Sequence, residues 1–186
     1  VGGGSDNTAG GASSTVAGGD GNEASASVAT ISGGKANTAG GDFATVGGGY
    51  ENTAQAEGTA VGGGRYNRAN AVYALVAGGR SNTAASAYAV VGGGVGNMAS
   101  NLGATVSGGF TNKALDYAAT VGGGYENTAT GRFAAVAGGF RNSAAGNYAT
   151  IGGGEYNSAS NESATVAGGQ DNKALNSHST VGGGNN

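Results

Sequence analysis

Asn7, Asn22, Asn37, Asn52, Asn67, Asn82, Asn97, Asn112, Asn127, Asn142, Asn157 and Asn172 stand fifteen residues apart without a break. A side-chain amide both donates and accepts hydrogen bonds, and it carries no charge. A column of amides therefore suits bonds passed from one copy of a unit to the next, as in cross-β ladders. It does not suit acid–base or nucleophilic chemistry, which needs groups of tuned protonation. The twelve asparagines are read as a structural ladder.

Other reactive side chains are few. The sole histidine, His178, has no second His and no Cys to join it in a metal site or catalytic pair, and it reads as a solvated side chain. With no Cys there is no disulfide or thiolate site. Acidic residues such as Asp20, Glu51, Asp116 and Glu155 are scattered. They do not recur at the spacing of calcium-binding nonapeptide repeats, which carry G-G-x-G-x-D in unit after unit. Stacking could bring two carboxylates together for glycoside hydrolysis, but no copy of the unit is marked out from the others. Each Gly run leads into Asn-x-Ala rather than into a helix with Lys-Ser/Thr, so it is no phosphate loop. Lys35, Arg65, Arg68, Arg80, Lys113, Arg132, Arg141 and Lys173 form no dense patch, and the net charge is −3. That balance argues against a nucleic-acid partner. No run of apolar residues is long enough for a membrane-spanning helix. The expectation is a protein with no cofactor and no catalytic centre.

The asparagines belong to a larger pattern. Val or Ile recurs at the same interval from Val1 to Val181, with a Gly-Gly pair two residues after each. Numbering Val1 as position one, the unit reads V-[GAS]-G-G-x-x-N-x-A-x-x-x-x-[AST]-x. Residues 1–186 hold twelve such units and a partial thirteenth, with no insertion or deletion. Val, Ile, Leu and Phe total only 25 of 186 residues, a level typical of disorder. Disorder also expects high net charge, and it gives no reason to keep three residue types in phase.

The period selects the architecture. Helical repeats run to roughly 33–47 residues and leucine-rich repeats to roughly 20–29. Collagen needs much Pro, and this chain has none. Fifteen residues fit one coil of an all-β parallel β-solenoid. Stacking at ~4.8 Å per coil makes twelve coils a rod of roughly 60 Å. Two strands are expected per coil, at positions thirteen to one and six to ten. Tyr148-Ala149-Thr150-Ile151 exemplifies the first and Glu126-Asn127-Thr128-Ala129-Thr130 the second. Alternation turns positions fourteen, one, seven and nine inward. The Gly run makes one corner, where φ > 0 or close backbone approach is needed.

An interior of one Val, two small residues and one Asn per coil is thin. Burying a Val contributes about 1.5–3 kcal/mol. Ordering fifteen residues costs roughly 1.5 kcal/mol each. Backbone and Asn ladders must supply part of the difference, and lateral association with other chains the rest. The chain is therefore expected to be a homo-oligomer. Because the array begins and stops in mid-stack, it is also expected to be part of something longer or to pair end to end in a filament. Tyr50, Phe110, Tyr125 and Phe140 at position five, with Tyr66 and Tyr156 at position six, are candidate surface contacts for a glycan or protein receptor. The competing reading is that they cover the corner or pack between chains.

The string Tyr-Ala-Thr-Ile-Gly-Gly-Gly, with Asn-x-Ala downstream, resembles the head repeat of YadA-like trimeric autotransporter adhesins. Ala149-Thr150-Ile151-Gly152 matches that family's V-A-I-G stretch, and Ala159 its second Ala. The unit is similar as well to repeats of phage tail fibres and other secreted fibres. It is one residue longer than the family's, with an added Gly at the corner. The resemblance implies a left-handed parallel β-roll, three chains side by side, and a bacterial cell surface or virion fibre as the location.

The sequence thus points to a structural and adhesive extracellular fibre module. An ice-binding solenoid is the alternative, since position fifteen is Thr in eight of twelve copies. Ala60, Leu75, Val90 and Ala135 interrupt that column, and no second Thr column stands beside it. Hexapeptide-repeat acyltransferases are solenoids too, but an aliphatic residue every sixth position does not divide a coil of fifteen.

Overall fold

The structure, a computed structural model, describes residues 1–185. Within them the chain is an all-β parallel solenoid of fifteen-residue coils. Twenty-four two-residue strands run from Thr8–Ala9 to Thr180–Val181 and divide into two twelve-stranded parallel sheets. One sheet stacks positions eight and nine, and the other stacks positions fifteen and one. Register is strict in both: Thr83 pairs with Met98, and Val76 with Val91, each with its equivalent one coil on. A third ladder of single bridges joins the position-five residues from Ser5 to Asn185.

The strands are shorter than the four- and five-residue segments the alternation predicts. Positions six and thirteen, placed inside strands by that reading, are left-handed corners. Every described coil has φ between about +50° and +68° at both positions, as at Thr111 (+51°) and Val28 (+58°). Only Gly21, Gly96, Gly58 and Gly103 among these corner residues are glycines. The positive φ turns the amide around. Most ladder amides donate to the coil ahead, as Thr53 does to Asn67 at 2.9 Å. At the corners they donate to the coil behind: Tyr66 to Tyr50 and Tyr73 to Glu57, both at 3.0 Å. Each corner thus joins three coils, which is how a residue that disfavours this conformation by roughly 1–2 kcal/mol is held in it.

These corners reveal a half-coil that the fifteen-residue period conceals. Positions six to nine run left-handed corner, buried Asn, outward residue, buried Ala. Positions thirteen to one repeat it as corner, buried Ala, outward residue, buried Val. One half closes with a tight turn, in which Ala74 N–H donates to the Ala71 carbonyl at 2.9 Å. The other half is one residue longer because of the Gly pair, and there the Asn side chain fills the wider corner. The core is as expected. Val, Ala and Ala at positions one, nine and fourteen are essentially inaccessible through the middle coils, with the asparagines beside them.

Candidate functional site

The asparagine amides occupy the interior at the Gly corner. Asn52 is typical. Its backbone N–H donates to Asn37 Oδ1 at 3.0 Å. Its Nδ2 donates to the carbonyl of Gly48 in its own coil (2.9 Å) and of Gly64 in the next (2.8 Å). The same three bonds recur at Asn22, Asn37, Asn67, Asn82, Asn97, Asn112, Asn127, Asn142, Asn157 and Asn172, while Asn7 keeps the two from its amide nitrogen. Direct amide-to-amide bonds occur only in some pairs, as from Asn142 to Asn127 at 3.0 Å. The coil-to-coil links are thus chiefly two, backbone N–H to side-chain oxygen and Nδ2 to the next coil's Gly carbonyl. A Cβ on Gly94 would stand 2.7 Å from Asn97 Nδ2 and closer still to the Gly109 carbonyl, at φ +86°. Position four is glycine because the amide and the next coil already fill that space.

The six candidate contact aromatics fall into two groups. Tyr50 and Tyr66 meet edge to face at 5.5 Å, and the Arg65 guanidinium lies over both rings at 5.0 and 4.7 Å. Phe110, Tyr125 and Phe140 form a stack at 5.1 and 5.2 Å, and Tyr156 meets Phe140 edge-on at 5.2 Å. Arg141 lies 5.0 Å over Phe140 and pairs with Glu126 at 2.5 Å. Within the stack the rings cover one another's faces and show their edges outward.

A second aromatic row runs along positions twelve and thirteen. Tyr73 stacks on Tyr88 at 5.6 Å, and Phe133 stacks on Tyr148 and meets Tyr117 edge-on, both at 5.2 Å. Arg132 lies over Tyr117 and Phe133 at 4.8 and 5.3 Å. Its signal was present: equal phase in a coil of fifteen places rings one strand spacing apart. His178 stands exposed in the same column.

Charge is confined to one side of the coil. Every Asp, Glu, Lys and Arg falls at positions five to twelve, and positions thirteen to four carry none. The outward residues of this band are Thr, Ala, Val and Leu at position fifteen, Gly, Ala or Ser at position two, and at its edge the exposed position-thirteen side chains, Phe43, Tyr88 and Tyr148 among them. The opposite side holds two polar grooves between columns six and eight. One, of about 410 Å³, is lined by Thr111, Lys113, Glu126 and Thr128. The other, of about 350 Å³, is lined by Glu51, Tyr66, Arg68, Ser81 and Thr83. Among the described residues no three His, Asp or Glu side chains gather as metal ligands, and no helix is long and apolar enough to cross a membrane.

Fold and surfaces together define a regular parallel β-solenoid with its chemistry spread along corners instead of gathered in one centre. The family model of the Ubiquitous surface protein adhesin repeat matches residues 14–25. That stretch runs from the half-buried Ser14 at position fourteen through Val16, the Gly pair, Asn22 and Ala24, so it contains every column that builds the interior. The chain is therefore similar in that coil to an adhesin repeat, in keeping with the resemblance to trimeric autotransporter adhesins. No curated protein matches the chain. An adhesin-type repeat on a structural solenoid suggests a non-enzymatic protein.

Proposed function

We propose that this chain is a structural and adhesive rod of a bacterial surface fibre, assembled side by side as a homotrimer. The observation that carries the reading is the charge-free band, taken with the adhesin-repeat match. The band is seven residues wide, so twelve coils at ~4.8 Å with ~3.3 Å per residue give it a footprint of roughly 1,300 Å². A standard interface buries about 800 Å² per partner, and in a trimer each chain divides its band between two neighbours. The band meets no desolvation cost for charge, the small residues at positions two to four let backbones approach closely, and the exposed aromatics of position thirteen line its edge. Outward corners then remain free to touch a receptor.

Size-exclusion chromatography with light scattering tests the assembly. The expected mass is about three times 17.3 kDa, and a stably folded monomer would overturn it. Beads coated with the assembled chain test adhesion. They are expected to be retained on host-cell surfaces or extracellular matrix, and an assembled rod that coats neither would reduce the reading to a scaffold. A thermal-hysteresis measurement on the same material bears on the ice-binding alternative, and activity there would displace the adhesive reading.

A further inference from the structure

We infer that the two grooves between columns six and eight are subsites for an anionic saccharide chain lying along the rod, a partner class that rests on the adhesive reading. Both grooves have the same construction. Each holds a position-six carboxylate that is already engaged outward. Glu126 is paired with Arg141, and Glu51 faces the Tyr50 hydroxyl, whose pKa it raises through hydrogen bonding and charge. Each also holds a position-eight cation, Lys113 or Arg68, that belongs to neither ion pair among the described residues. Thr and Ser hydroxyls surround that cation.

A free cation among hydroxyls suits a carboxylate or sulfate group on a sugar, with sugar hydroxyls donating to the tethered carboxylate. Neutral sugars would instead favour exposed ring faces, and the long aromatic stack keeps its faces to itself. Lys113 and Arg68 share a column three coils apart, or roughly 14 Å. One extended chain therefore reaches both, and the second contact gains from the first.

Thr111 supplies an independent sign. Its Oγ1 is buried with no hydrogen-bond partner, although the residue lines the larger groove. The hydroxyl gains nothing inside, and turning about χ1 is its route to a partner in the groove.

The test measures binding of the full assembled chain to immobilised oligogalacturonate, a sulfated oligosaccharide and a neutral cello-oligosaccharide, at low and physiological salt. Binding to one or both anionic probes, weakened by salt, is expected. Arg68→Gln with Lys113→Gln should weaken it at least tenfold. Lys35→Gln with Arg80→Gln removes the same charge at position five and should leave it within twofold. Thr111→Val should weaken binding severalfold without lowering the melting temperature, a pairing that a purely structural role would not give. Equal loss in both double variants, preference for the neutral probe, or no saccharide binding would each overturn the assignment. If beads still adhere to cells while no anionic saccharide binds, the adhesive reading stands and the groove assignment alone falls.

Discussion

Asn97 shows what a single side chain does in this fold. Its Oδ1 accepts from Asn112 N–H at 2.9 Å, and its Nδ2 donates to the Gly93 and Gly109 carbonyls at 2.7 and 2.9 Å. Gly109 O also accepts from Val95 N–H, so Asn97→Ala strands two backbone groups outright. Each buried group left unpaired costs about 1–3 kcal/mol, so a loss of roughly 2–6 kcal/mol is expected on chemical denaturation. Hydrogen exchange should rise at Asn112 and its neighbours before it rises at the ends. Asn97→Asp keeps the acceptor for Asn112 but points a carboxylate at two carbonyl oxygens. Burial and those oxygens favour its protonated form, so its folded pKa should lie above the unfolded value of about 4. The sign follows: the variant should gain stability as pH falls through that range, opposite to the usual carboxylate behaviour. A chemical-denaturation series from pH 7 to 4 reads this directly. Val28 offers a gain instead. It is β-branched, left-handed at φ +58° and 43% exposed, and Asn tolerates that conformation far better. Val28→Asn should add about 1 kcal/mol, and unchanged or lower stability would mean the Val side chain packs more than its exposure suggests.

At the scale of the coil, the repeat is two half-coils of seven and eight residues. The eight-residue half needs Asn at position seven because its extra Gly widens the corner, and the seven-residue half closes its own turn and takes Ala at position fourteen. Phase is therefore what the stack cannot lose. Removing residues 76–90 deletes one whole coil and joins Leu75 to Val91 in register. That variant should fold cooperatively, with a shorter rod and a proportionally smaller dependence of stability on denaturant. Deleting Gly93 alone removes one residue and shifts every later column against its ladder. It should split the array into two blocks, with a protease-sensitive junction near residue 93. Circular dichroism and limited proteolysis distinguish the outcomes, and equal tolerance of both deletions would sink the account. Much of this was legible in the sequence. Val16, Ala24, Ala29 and Asn22 announced their burial by phase, since they alternate with outward residues and a thin core tolerates little variation at inward positions. The corners were not legible. Phe43, Tyr73 and Val28 look like strand residues by propensity, and the stack holds them left-handed through bonds to the coil behind, which no local pattern displays. The grooves were hidden for a related reason: Lys113 and Glu126 come together only through stacking, and each alone looks like a solvated charge.

For the molecule as a whole, the distribution of charge decides how rods meet. Charges at positions five to twelve keep that side hydrated, and the band from thirteen to four presents only uncharged groups along its length. Leu75 and Val90 stand mid-rod, outward on the position-fifteen column, with Ala60 beside them. They form the most apolar stretch of that column and the part a partner chain would desolvate most fully. Val90→Glu tests this with one atom-scale change. In an isolated rod the substitution is mild, because position fifteen points outward and the parallel pairing of Val90 with Leu75 and Thr105 uses only backbone. In an assembled rod it buries a carboxylate with no partner, and in a trimer it does so three times around one axis. An unpaired buried charge costs several kcal/mol per chain. The expected outcome is dissociation to a species near 17.3 kDa by light scattering, with lowered thermal stability because the thin core has lost its lateral support. Glu introduced at Thr83, on the position-eight sheet of the charged side, should leave the assembled mass unchanged. If Val90→Glu remains assembled while Thr83→Glu dissociates, the interface lies on the charged side, and the grooves there would be covered instead of open to a saccharide.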